Sequence, residues 1–211
     1  MEDLVILTPD SAYKQVLPAI LARHQALGIR SLTPEIVSDP YHDSSDQAVE
    51  LLRAYQSTHR RALMVRDIEG SGREELGAAA LERHLHQQLM QSGWQSDHTA
   101  VLVLEPELES WLRFGSSHMG MVLKELARKN RDKLADWETK LEHICAEHGG
   151  MNELGKPLRP KEVFRDLLKE YNIPPSNAVL GKLAEKESLQ ACRVPSFVRF
   201  RELMQQWFPA S

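Results

Sequence analysis

Two carboxylates one residue apart, Asp67 and Glu69, close an apolar run and are followed by Gly70, Ser71 and Gly72 and then by a long helical pattern. In an extended segment residues i and i+2 point to the same side, so both acids are expected to project into one crevice at a strand's carboxyl end. Ligands of open α/β sheets bind in that place. Three more acids, Glu105, Glu107 and Glu109, follow the next apolar run. Asp67, Glu69, Glu105 and Glu109 make up an oxygen-only ligand set of the kind that Mg²⁺ or Mn²⁺ accepts, with Asp67 and Glu69 as the catalytic pair. Such ions organise phosphate oxygens, lower the pKa of a bound water and neutralise developing charge. Carboxylates crowded together without a cation repel one another or take up protons. The plainer alternative is that acids at a helix start are simply favoured by the helix dipole, and for Glu107 and Glu109 this alternative leads.

Gly70, Ser71 and Gly72 resemble half of a phosphate-binding loop, although neither the dinucleotide fingerprint nor the P-loop with its lysine is present. Arg73 and Lys161 are the cations expected to meet phosphate. Lys161 lies in a basic stretch with Lys156 and Arg159, and a lysine at a helix start opposes the dipole. It reaches the crevice only if the tail folds over it; a plain basic loop is the simpler account. His84 and His86 stand two apart on a helix and face different ways, which fits solvated or packing roles. Trp94, Trp111, Trp137 and Trp207 read as core or interface anchors.

The elements that must position these groups follow from periodicity. Residues 4–8 form a buried strand, and Pro9, Asp10 and Ser11 lead into a helix over 12–27 that contains Pro18. A second strand over 33–38 belongs at a sheet edge because of Pro34. Residues 39–45 are a polar loop before a helix over 48–55. The third strand, 61–66, delivers Asp67, and a helix over 74–94 follows. The fourth strand, 99–104, runs straight into a helix begun by Pro106. Four strands separated by helices imply a mostly parallel, Rossmann-like α/β sheet with helices on both faces. In the order 2-1-3-4 the winding reverses between strands one and three, which brings residues 8–11 beside Asp67 and Glu69. Beyond Phe114 the chain reads as helices over 119–126, 131–148, 161–171, 178–187 and 197–208. The expected division is an α/β domain over 1–114 with a helical C-terminal extension, 115–211, packed on it.

The 211 residues carry 26 Lys and Arg against 30 Asp and Glu, a net charge of −4. That balance argues against coating nucleic acid through bulk electrostatics. Residues 151–211 hold ten basic and seven acidic residues, a net +3, so a basic face of the tail could still meet phosphates. No apolar run is long enough for a membrane span, and the amino-terminal stretch resembles no targeting peptide, so a cytoplasmic protein is expected. Cys145 and Cys192 lack metal spacing and are expected to be reduced packing residues.

The order of motifs resembles the TOPRIM fold, the metal-binding module of topoisomerases, primases and OLD-type nucleases. That resemblance implies a glutamate after the first strand and an Asp-x-Asp pair after the third, to which Asp67-Ile68-Glu69 is similar. Thr8-Pro9 stands where Glu-Gly is expected, and the missing glutamate is the family's acid/base group. Almost the whole chain resembles a bacterial family of methylation-associated anti-phage defence components. The matching landmarks are Gln25-Ala26-Leu27-Gly28-Ile29-Arg30, Asp67-Ile68-Glu69-Gly70-Ser71-Gly72-Arg73-Glu74-Glu75, Ser92-Gly93-Trp94, Pro106-Glu107-Leu108-Glu109-Ser110-Trp111, Pro160-Lys161-Glu162 and Trp207-Phe208-Pro209. The resemblance implies an antiviral context, with other defence-system proteins, including DNA methyltransferase components, as partners. Nucleic acid and further copies of this chain are the remaining expected partners. Three functions compete at this level: a nuclease-like metal enzyme acting on nucleic acid or nucleotide phosphates, a catalytically idle recognition or assembly subunit, and a nucleotide sensor.

Overall fold

A computed structural model describes residues 1–40, 45–127, 134–186 and 188–210. Residues 41–44 of the expected polar loop, the first residues of the helix expected from Arg131, and Glu187 lie outside the described residues. Four strands, β1 (Glu2–Thr8), β2 (Glu35–Ser38), β3 (His59–Asp67) and β4 (Thr99–Leu104), form one sheet in the order β2-β1-β3-β4. Every pairing is parallel. β2 lies at one edge of the sheet, where it is expected, and Pro34 falls just before it.

Alternation along the strands divides the core between the two faces of the sheet. Leu4, Ile6, Leu63, Val65, Leu102 and Leu104 pack with Val16, Leu17 and Ile20 of α1 (Tyr13–Leu21) and with the carboxyl-terminal helices. Val5, Leu7, Ala62, Met64 and Val103 turn the other way. They are covered by α3 (Ser45–Arg53) and α4 (Ala78–Gln91) through Val49, Leu52, Leu81, Leu85 and Leu89. Helices therefore lie on both faces.

The helix expected over 12–27 is broken. α1 runs through Pro18, stops at Leu21, and the chain restarts as the single turn α2 (His24–Leu27). Arg23, at φ −93° and ψ 42°, is the break between them. The helix expected over 74–94 also starts late: Glu74–Leu76 is a 3-10 turn, Gly77 sits at φ 70°, and only then does α4 begin. A left-handed residue cannot continue a right-handed helix, and glycine takes that conformation without a Cβ penalty. The helix expected from Pro106 does not form there. Pro106 follows a cis peptide bond, Glu107 is extended, and a 3-10 turn covers Leu108–Trp111.

The rest of the chain is α5 (Ser117–Leu126), α6 (Trp137–Glu147), α7 (Pro160–Glu170), α8 (Asn177–Ala184) and α9 (Pro195–Trp207). α8 packs on α1, and α9 packs on β4. Their apolar residues Val179, Leu183, Phe197, Phe200 and Met204 join the same cluster as α1. Trp94, Trp111, Trp137 and Trp207 are all buried, and Cys145 and Cys192 are free. Among the described residues no helix is long and apolar enough to cross a membrane.

α5 contains one glycine whose absence of a side chain is used. A Cβ on Gly120 would lie 2.9 to 3.0 Å from three atoms of the Trp137 indole. The indole is rigid and 6% exposed, so it cannot swing clear. Gly120→Ala gains up to about 1 kcal/mol of helix propensity but overpacks this contact at a cost of about 1–3 kcal/mol. The variant is expected to unfold at lower urea than the wild type. An unchanged or higher midpoint would show that α5 and α6 separate freely here.

Candidate functional site

The reversal between β1 and β3 opens a crevice at their carboxyl ends, lined by Pro9, Asp10, Asp67, Glu69, Ser71 and Lys161 among others. Thr8, the last residue of β1, is fully buried, its hydroxyl within 3.1 Å of the Asp10 carbonyl and 3.2 Å of the Val37 carbonyl. It places no carboxylate at that strand end. Asp10 Oδ1 accepts from the Ala12 N–H at 2.7 Å, closing an Asx turn just before α1. Its side chain nevertheless lines the crevice.

Asp67 ends β3 and accepts a hydrogen bond from the Tyr13 hydroxyl of α1. Ile68 is buried, its N–H bonded to the Leu104 carbonyl, and Glu69 comes out on the exposed rim. Burial pushes the Asp67 carboxyl up to about 7. The Tyr13 bond and the Lys161 charge oppose that rise, and Asp10 and Glu109 add to it. The Tyr13 hydroxyl is raised well above its ordinary value, first by burial and then by Asp67.

Glu107 and Glu109 are not the solvated first turn of a helix. Glu107 is 4% exposed and Glu109 8%. Glu107 Oε1 accepts from the Lys161 N–H at 2.9 Å, and Oε2 lies 3.6 Å from the Lys161 ammonium. The acid thus caps the start of α7 and pairs with the lysine there, which accounts for a cation at the unfavourable end of the helix. Burial, then the Glu109 charge, pushes Glu107 up to about 8 against the pull of Lys161. Burial likewise raises Glu109. For Lys161, burial acts downwards but is outweighed by Glu107, Glu109, Asp67 and Asp10, which raise its pKa. The tail does fold over the crevice, and one lysine serves several acids.

Other expected site residues are placed elsewhere. Glu105 is exposed and lines a separate groove with Pro106 and Arg199. No three of Asp67, Glu69, Glu105 and Glu109 bring ligand oxygens within 4.8 Å of one another. Arg73 turns to His84, with Nη1 and Nε2 3.2 Å apart, and is not among the residues lining the crevice. His86 Nε2 lies 3.2 Å from the Thr99 carbonyl, a packing role. Lys156 donates to the Leu112 carbonyl at 2.5 Å. Gly70, at φ 77°, and Gly72, at φ 65°, turn their N–H groups onto one oxygen of Glu74, at 3.0 and 3.3 Å. The glycine loop is an anion nest, as its composition promises, but its anion is the chain's own carboxylate. The backbone hydrogen bonds this carboxylate receives, led by its own N–H, lower the Glu74 pKa.

Sequence reasoning passed over two contributors. Tyr13 is the first residue of α1, and nothing in its spacing points to Asp67, 54 residues away. Arg66 is a charge inside an apolar strand, a signal that was available. It is 5% exposed and lines the crevice. Nη2 is 2.5 Å from Asp39 Oδ2, and Nη1 is buried with no hydrogen-bond partner. Comparison of the chain with protein-family models, curated proteins and solved structures finds no match.

The residues present suit a hard divalent cation in kind. Three carboxyl groups in and beside the crevice, Asp67, Glu107 and Glu109, have raised proton affinity, which marks a place short of positive charge even with Lys161 beside it. Mg²⁺ is held by one or two carboxylates plus waters and substrate phosphates, so Asp67 with Glu69 is a sufficient protein contribution without a closed cage.

Proposed function

We propose that this crevice is a divalent-cation site acting on the phosphates of nucleic acid or nucleotides, within a TOPRIM-like component of a methylation-associated anti-phage defence system. The observation that carries the reading is the convergence of Asp67, Glu69, Lys161 and Arg66 on the switch point of a parallel sheet. Asp67 and Glu69 would hold Mg²⁺ or Mn²⁺. The bound ion would neutralise phosphate charge and acidify a water. Lys161, whose side chain is exposed at the crevice, offers a cationic donor to phosphate oxygens. Asp67, with a pKa near 7 in the metal-free protein and Tyr13 as donor, would give up its proton as the ion binds near neutral pH.

A second reading, an idle recognition or assembly subunit, is favoured by one feature. Thr8 stands buried and hydrogen-bonded where the resembled family carries its acid/base glutamate. Titration of Mg²⁺ and Mn²⁺ into purified wild type and Asp67→Ala/Glu69→Ala separates the two. The enzyme reading expects calorimetric binding by the wild type that falls at least about tenfold in the double variant, beside loss of phage protection in Asp67→Ala. Full protection by a stably folded Asp67→Ala would leave the assembly subunit as the function.

A further inference from the structure

At the other end of the sheet, β1, β2 and β3 begin with Glu2, Glu35 and His59. Ligand atoms of these three side chains all lie within 4.8 Å of one another, and among the described residues no other group of three or more His, Cys, Asp or Glu converges in this way. The two glutamates are solvent-accessible, with side chains 67% and 43% exposed; the imidazole is 2% exposed.

The imidazole's tautomer follows from its neighbours. Nδ1 lies 2.9 Å from Thr58 Oγ1, and the Thr58 hydroxyl donates to the Tyr55 carbonyl at 3.2 Å. With that hydrogen directed to the carbonyl, Oγ1 accepts from Nδ1–H, and we assign the ring this tautomer. Nε2 of the neutral ring then presents a lone pair towards two carboxylates, with Glu2 Oε2 at 3.1 Å and Glu35 Oε2 at 3.4 Å. Nε2 is buried and makes no hydrogen bond to either, because both oxygens lie off the ring's N–H axis. A lone pair and two carboxylates facing one another repel unless a proton or a cation lies between them. A proton on Nε2 is poorly aimed at either oxygen, whereas off-axis ligands are how a metal ion is surrounded.

We propose that Glu2, Glu35 and His59 form a Zn²⁺ site that ties the starts of three parallel strands together, with its fourth position open to water. One imidazole and two carboxylates are a donor set that zinc accepts. Tetrahedral ligands about 2.0–2.2 Å from zinc are about 3.3–3.5 Å from each other, close to the two nitrogen–oxygen distances here. The outer shell is in place as well. Thr58 fixes the ring through Nδ1, and the Tyr55 ring meets His59 edge-on at 5.2 Å. The ion bridges strands that are neighbours only in the folded chain, so it stabilises the fold. This site is independent of the crevice reading and stands or falls without it.

Zinc titration of chelator-treated full-length protein, followed by calorimetry and by thermal unfolding, tests the site. One equivalent of Zn²⁺ is expected to bind and raise the unfolding temperature, with undiminished affinity in Asp67→Ala/Glu69→Ala. Glu2→Gln, at an exposed position that leaves the core untouched, is expected to weaken binding at least about tenfold, and His59→Gln about 100-fold or more. Absence of binding by the wild type, or full affinity in folded Glu2→Gln, overturns the site. Loss of binding in the Asp67/Glu69 double variant with retention in the others also overturns it, by moving the ion to the crevice. Should His59→Gln fail to fold, the affinity of Glu2→Gln alone decides.

Discussion

At pH 8 and with divalent ions chelated, Asp67→Asn is expected to resist urea better than the wild type by on the order of 2–4 kcal/mol, while at pH 4 the two unfold at nearly the same urea concentration. The folded protein holds the Asp67 proton with a pKa of about 7, whereas the unfolded chain releases it near 3.9. Below the unfolded value both states are protonated and the buried carboxyl costs nothing. Between about pH 4 and 7 the unfolded chain has lost the proton and the native one keeps it, so stability falls by up to about 1.4 kcal/mol per pH unit. Above pH 7 the full penalty of a buried charge is present. Asparagine is neutral throughout and still accepts from Tyr13, so its curve lacks this fall. Glu107, raised to about 8, leaves a residual slope of the same sign in the variant, ending near pH 8. Parallel curves for wild type and variant from pH 4 to 8 would show that Asp67 is solvated and not poised. The same experiment bears on function. A site destabilised by its own negative charge at neutral pH is one that a divalent cation relieves, so added Mg²⁺ is expected to stabilise the wild type at pH 8 and not Asp67→Asn.

Trp111→Ala is expected to cost about 3–5 kcal/mol, read as a lower urea midpoint by circular dichroism. Trp111 is 5% exposed, in the turn that follows β4. Its ring meets Phe197 edge-on at 5.1 Å and Phe200 at 5.3 Å, and Nε1 donates to Ser196 Oγ at 2.9 Å. One side chain thus fastens the sheet to α9 by both area and hydrogen bond. Truncation leaves a large cavity and strands a buried hydroxyl, since Ser196 is 3% exposed. Trp111→Phe keeps most of the packing and is expected to lose only part as much. A loss below about 1 kcal/mol in the alanine variant would mean that the cavity collapses or that α9 is held elsewhere. Because Glu107 and Glu109 belong to the same segment, the alanine variant is also expected to loosen the pairing of Glu107 with Lys161.

The architecture was legible because it rests on local, repetitive signals. The apolar runs at 4–8, 61–66 and 99–104 gave the strands, with boundaries that the structure extends by a few residues for β1 and β3 and keeps for β4. Right-handed crossovers and helices on both faces then left few strand orders, and 2-1-3-4 is the one found. That order alone put Asp67 and Glu69 at a crevice, since it depends only on where the winding reverses. Helix starts were less legible. Gly77 and Arg23 interrupt helical patterns that are apolar on the correct side, and one backbone angle outweighs that periodicity.

What the acids do to one another was decided by the tertiary structure. Glu105, Glu107 and Glu109 are spaced alike in the sequence, yet Glu105 faces solvent while Glu107 and Glu109 are buried. That outcome depends on the extended Glu107 and the turn fastened by Trp111, not on residue type. Lys161 could be read as surface charge until α7 brought it to Glu107, and Tyr13 could be read as core until its hydroxyl met Asp67. The convergence of Glu2, Glu35 and His59 has no sequence signature at all, because the three lie 24 to 57 residues apart on separate strands. Residue types and periodicity determined which elements form and which end of the sheet holds the crevice. Only the packing of distant segments, which sets burial and distance and hence charge, determined which side chains meet there and how tightly they hold their protons.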